Sequence, residues 1–182
     1  MTYIGAPSPN GIALGSINPD QLDYNPYASR MLYVRDEKTD ATPGGSSVAG
    51  VNQRDLNTVV INNISGASLG SNQITLPAGT YYIDATAPSY LSNRTCLDLY
   101  NVTDFGIQLP GSPTYSGATG ATVVPDKVRG EFTITGTKVF RLNHYCETAR
   151  VTFGLGVEVG SAFTGRNTNE IYTECRIWRI GD

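Results

Sequence analysis

Apolar and polar residues alternate along most of this chain with a period of two. In the segment ITLPAGTYYIDATAPSY (residues 74–90), Tyr81, Ile83, Ala85 and Ala87 fall on one side, and Tyr82, Asp84 and Thr86 on the other. Such alternation puts one face of a β-strand into a core and leaves the other outside. The same period recurs downstream. Leu97 and Leu99 alternate with Cys96, Asp98 and Tyr100, and Val128, Gly130, Phe132 and Ile134 with Arg129, Glu131, Thr133 and Thr135. Phe140, Leu142, His144 and Cys146 alternate with Arg141, Asn143 and Tyr145. Upstream, MLYVRDE reads as a first strand, TPGGSSVAG as a loop, and NTVVINNI as a strand with Val59 and Ile61 on one face. Val151, Phe153, Leu155, Val157 and Val159 predict a further strand, opposed by Thr152, two glycines and Glu158. Pro, Gly, Asn and Asp punctuate the segments as turn residues do. The pattern predicts an all-β antiparallel sandwich.

The last segment, EIYTECRIWRI, is different. Ile171, Thr173, Cys175 and Ile177 form one face, and Tyr172, Glu174, Arg176, Trp178 and Ile180 the other. Both are apolar enough to be covered, so this strand calls for a partner beyond its own sheet. Tyr and Trp suit a subunit interface, because they add area and keep a polar handle.

Residues 1–30 follow neither period. Pro7, Pro9, Pro19 and Pro26 interrupt them, with Gly and Asn between, so they cannot build a core of their own. They divide the chain into an extended N-terminal arm (1–30) and a β domain (31–182). Two readings of the arm stand: a disordered leader, or an arm that orders against a neighbouring subunit or larger scaffold. Its apolar side chains, among them Tyr3, Ile4, Ile12, Leu14 and Ile17, favour the second.

Composition narrows the function. The 182 residues suit one domain, and 20 Gly, 10 Pro and 11 Tyr against 5 Phe suit short strands joined by polar turns. Charged residues make up 16% and the net charge is −3 without a basic cluster, which gives no footprint for nucleic acid. No apolar run approaches the length of a membrane span. The N-terminus lacks the basic region and continuous apolar stretch of a secretory signal, so synthesis and folding in a cytosol are expected. In that compartment Cys96, Cys146 and Cys175 are expected as free thiols, with a Cys146–Cys175 bridge as the alternative. Their spacing fits no zinc pattern.

Catalytic chemistry finds little support. His144, the single histidine, shares a face with Phe140, Leu142 and Cys146, which predicts a satisfied core residue. The carboxylates are dispersed among the strands and favour no pair for glycoside hydrolysis. Asp98 and Glu174 are expected to pair with Arg94 or Arg176 inside an interface. No cofactor motif or metal-ligand set is present.

The ordered strings ITLPAGTYYIDATAP, LDLYNVTD, VRGEFTI, FRLNHYCETA and EIYTECRIWRI resemble a module of tailed-phage virion proteins. The stretch from Leu32 to Ile74 resembles its usual entry, so the resemblance covers about residues 31–182. That module is similar to the trimeric jelly rolls of the tumour necrosis factor and complement-type globular heads, which carry a like pattern around Ala78-Gly79-Thr80-Tyr81-Tyr82 and Cys96-Leu97. The resemblance implies a ten-strand jelly roll, trimerisation about the faces bearing Tyr and Trp, and no enzymatic activity. It spans tail fibres, head fibres and decoration proteins alike. On it we expect a homotrimeric virion protein, assembled in the host cytoplasm, with Tyr82, Tyr100, Tyr172, Trp178 and Ile180 at the interface. Tyr3, Ile4, Ile12, Leu14 and Ile17 would attach the arm to the capsid or another virion protein. The alternative is a receptor- or glycan-binding tip, using the polar loops after Leu109 and around residues 161–169. A polysaccharide hydrolase is a third, remote reading.

Overall fold

The computed structural model describes residues 30–117, 123–162, 165 and 168–181. Twelve strands are present among them. They are β1 (Met31–Lys38), β2 (Gly50–Gln53), β3 (Thr58–Asn62), β4 (Ser68–Gly70), β5 (Gln73–Leu76) and β6 (Gly79–Tyr90). The chain continues with β7 (Asn93–Asn101), β8 (Gly106–Leu109), β9 (Thr114–Ser116), β10 (Val123–Ile134), β11 (Lys138–Cys146) and β12 (Glu170–Gly181). A 3-10 turn spans Gly160–Ala162.

All pairings are antiparallel. One sheet has the order β10-β6-β12-β1-β3. The other has the order β4-β5-β11-β7-β8, with β2 added to β11 and β9 to β7. This is the expected jelly-roll sandwich. The twelve strands against the ten implied by the module arise because short pieces such as β4 and β9 pair as separate segments.

The core forms where the alternating faces meet. Leu32, Val34, Tyr81, Ile83, Ala85, Ala87, Val128, Phe132, Ile134, Cys175 and Ile177 come from the first sheet, and Ile74, Leu76, Leu97, Leu99, Phe140 and Leu142 from the second. Phe132 links the two layers: its ring lies 5.6 Å from Tyr81 and 5.4 Å from Phe140. Each large buried side chain contributes roughly 1.5–3 kcal/mol of transfer free energy.

Two expectations are corrected. Residues 151–159 are not a strand. They run through turns in which Thr152 adopts a φ of 67°. Val151 is 76% exposed, while Leu155 alone of the alternating set is buried. Valine alternating with glycine mimics a strand in pattern, yet the glycines contribute no side chains to a sheet face. In β3, Val59 and Ile61 do not share a face: the extra residue Val60 sets Val59 opposite the inward Val34 and Ile61 opposite the outward Tyr33, and Val59 remains 47% exposed.

Candidate subunit interface and the polar end of the core

The outer face of the first sheet is built in rows fixed by strand register. Met31, Trp178 and Tyr82 stand side by side on β1, β12 and β6. The Tyr82 and Trp178 rings lie 6.1 Å apart. In the next row, Ile61, Tyr33, Arg176, Asp84 and Arg129 follow one another across all five strands. The Arg176 guanidinium sits 4.4 Å above the Tyr33 ring and pairs with Glu174 at 2.6 Å. The Tyr33 hydroxyl donates to Glu174, and burial together with that carboxylate raises the Tyr33 pKa. Arg129 and Asp84 pair at 2.9 Å, and Arg35 and Glu37 at 2.6 Å. Each exposed pair is worth about 0–1 kcal/mol. The face therefore has an apolar row flanked by a charged ladder.

The five residues expected at an interface separate into four places. Tyr82 and Trp178 adjoin on this face. Ile180, 52% exposed, is the extra residue of a second register shift at the end of β12. Tyr100 lies on the outer surface of the opposite sheet, where the Arg141 guanidinium covers its ring at 4.9 Å. Tyr172 is buried inside the subunit. A bulge opposite Asp36 turns both Tyr172 and Thr173 inward, breaking the alternation on which their faces were assigned. The Tyr172 hydroxyl donates to the Thr42 carbonyl at 2.6 Å. Its ring fills the space above Gly156, where an added Cβ would lie 2.1 Å from Cδ1. Tyr3, Ile4, Ile12, Leu14 and Ile17 lie outside the described residues. Met31, Tyr33 and Ile61 complete the face. The alternation Met31, Tyr33, Arg35 against Leu32, Val34, Asp36 was the signal for the first two.

Of the expected ion pairs, Glu174–Arg176 forms. Asp98 instead accepts a hydrogen bond from the Gly111 amide at 2.8 Å, and Arg94 pairs with Glu147 at 3.0 Å. Gly111 is required there, since a Cβ would lie 1.8 Å from the Leu97 carbonyl oxygen.

One end of the core is polar. His144 and Asp126, both fully buried, meet through Nε2 and Oδ2 at 2.7 Å. The other Asp126 oxygen accepts from Thr95 at 3.0 Å and from Thr114. One carboxylate thus joins β10 of the first sheet to β11, β7 and β9 of the second. Burial lowers the His144 pKa, against the hydrogen bond it makes to Asp126, and the nearby Arg54 charge lowers it further. Burial would raise the Asp126 pKa, but His144, Thr114 and Thr95 outweigh it and the pKa falls. His144 Nδ1 has no partner among the described residues.

Arg54 is also fully buried. It donates to the Thr173 hydroxyl at 2.8 Å, the Leu155 carbonyl at 2.9 Å and the Pro88 carbonyl at 3.4 Å. Burial pushes its pKa down to about 10, so it stays charged at neutral pH. Arg54 and Asp126 were missed in the sequence, where each reads as an isolated polar residue. His144 does lie in the core, as expected. Enclosed with Asp126, it ties strands together. The cysteines are free thiols, and Cys146 and Cys175 belong to opposite sheets. Burial pushes Cys175 up to about 12, and burial with Asp98 pushes Cys96 up to about 11, so neither is an activated nucleophile. Among the described residues no three His, Cys, Asp or Glu side chains converge to hold a metal ion. A cleft of about 260 Å³ lies between Pro88, Val157, Val159, Asn169, Ile171 and Tyr172.

Comparison with protein-family models and with curated protein sequences gives no match. Solved structures do match. The globular domain of zebrafish complement 1qA protein is 14% identical, with a TM-score of 0.50 over 84% of this chain and 97% of that one. Murine APRIL, in crystals at pH 8.0 and pH 5.0, is 8% and 7% identical, each with a TM-score of 0.52 over 82% of this chain and 98% of the other. At such identities the likeness establishes the fold: an antiparallel jelly roll similar to those two globular domains.

Proposed function

We propose that this chain is a structural protein of a tailed-phage particle, of capsid-decoration or head-fibre type, that trimerises through the outer face of its first sheet. It is a building block and not an enzyme. The carrying observation is the apolar row Met31–Trp178–Tyr82 across the three middle strands of that face, where 39% of Tyr82 remains exposed in one subunit. Aromatic side chains in such a row are the residues that dominate binding energy at subunit interfaces. The jelly-roll fold and the order of the strings from residue 74 to residue 180 favour the virion module, and the N-terminal arm would carry the attachment to the particle.

Light scattering tests the assembly. A species of three times the 19.5 kDa chain mass is expected at micromolar concentration, and a 19.5 kDa species would remove the proposal. Attachment is tested by binding to particles that lack this protein: the full chain should bind, and binding that survives deletion of residues 1–30 would remove the arm's role. A glycan-binding tip is the second reading, supported by Tyr115, which projects from β9 with 62% of its surface exposed. A glycan array without a hit at millimolar ligand would remove it.

A further inference from the structure

β3 ends the first sheet, and no described strand pairs with its outer edge. Its residues are Thr58, Val59, Val60, Ile61 and Asn62, with neither charge nor proline. Val59 is 47% and Val60 40% exposed, and Ile61 is only partly covered. Protein sheets ordinarily protect such edges with charges, prolines or bulges. The opposite edge of the same sheet follows this rule: β10 presents Pro125, Lys127, Arg129 and Glu131 to solvent. The one device on β3 is a register shift around Val60, and it turns another apolar side chain outward. An uncharged edge of β-branched residues is a template for an added strand.

The chain supplies a candidate strand. Between Pro9 and Pro19 lies NGIALGSIN (residues 10–18), without proline or charge, and with Ile12 and Leu14 spaced to share one strand face. The exit point of the arm is also known. The Met31 carbonyl accepts from the Asn63 amide at 2.8 Å, so the chain before β1 departs beside the Asn62 end of β3. Pairing with its own β3 would require the arm to cross the connection from β3 to β4, which leaves from the same end at Asn63, and connections at one edge of a sheet avoid crossing. Residues 19–30, at ~3.3 Å each, reach ~40 Å. That is more than twice the ~17 Å length of the five-residue β3, so residues 10–18 are not confined to their own subunit.

We infer that residues 10–18 of one subunit add as a strand to the free edge of β3 in a neighbouring subunit, so that the arms lace the trimer together. This rests on the trimeric assembly proposed above. The test places a photo-cross-linking benzoylphenylalanine at Leu14 of the full chain and reads both solution mass and cross-linked peptides. The expected result is a trimer whose cross-links join position 14 to residues 58–62 in a band of twice the chain mass on a denaturing gel. Val60→Lys, which puts a charge on the edge, is expected to cut that yield several-fold with the trimer intact. A trimer whose cross-links fall elsewhere, or to residues 58–62 within one chain, overturns the strand exchange alone. A monomer overturns the assembly and the exchange together.

Discussion

Asp126 shows how much one side chain can organise. Its carboxylate holds His144, Thr95 and Thr114, and nothing in the sequence around VVPDKV marks it out. Removing the acceptor leaves the buried donors of His144, Thr95 and Thr114 unsatisfied, at about 1–3 kcal/mol for each such group, so Asp126→Ala is expected to lower stability by about 3 kcal/mol or more. Urea denaturation at fixed protein concentration checks this. The pair also sets a pH dependence. His144 has a pKa lowered from 6.5 in the folded state, so as pH falls below 6.5 the unfolded chain takes up the proton first and stability declines. Asp126, lowered from 3.8, contributes stability above 3.8 that is lost only as pH falls through its lower folded value. Between pH 7.5 and 5 the decline therefore comes from His144. The urea midpoint should fall over that interval, and more steeply than in His144→Asn. Equal slopes would assign the decline to other groups.

At the scale of elements, the strands that were legible are those that bury one face and run without interruption. Tyr81 to Ala87, Leu97 and Leu99, Val128 to Ile134 and Phe140 to Cys146 all lie where a period of two places them. The misassignments share a cause, which is that periodicity counts residues and a sheet counts pairings. One extra residue opposite Asp36 turned Tyr172 from the outer face to the interior. Tyr100 alternates correctly along β7, yet only topology could place it on the opposite sheet from Trp178. Arg54 and Asp126 become one polar end of the core only when distant strands meet. The bulge itself is testable. Gly156→Ala would drive a Cβ into the Tyr172 ring at a backbone φ of 144° and should cost more than the ~1 kcal/mol expected for Tyr172→Phe, which loses one hydrogen bond. Thermal unfolding of the two variants gives the order.

For the whole molecule, the outer face of the first sheet combines apolar and charged rows with different dependence on conditions. Exposed ion pairs weaken in salt, because the Debye length falls to about 3 Å at 1 M. Burial of Trp178 and Tyr82 does not weaken in this way. The proposed trimer should therefore persist from low salt to 1 M salt and dissociate on Trp178→Glu. Sedimentation velocity reads both, and dissociation in salt with indifference to Trp178→Glu would shift the interface to the charged ladder.

The four-strand junction at Asp126 also bears on time. Its partners stand 31, 18 and 12 residues away along the chain, and they belong to both sheets. The junction needs the two sheets docked, a step that follows their local hairpins, so it should be largely unformed in the folding transition state. A defect at such a site shortens the lifetime of the folded state and leaves the rate of acquiring it nearly unchanged. In stopped-flow refolding and unfolding, Asp126→Asn should steepen loss and spare gain. The carboxylate acts as a latch between the sheets and decides how long the sandwich stays shut.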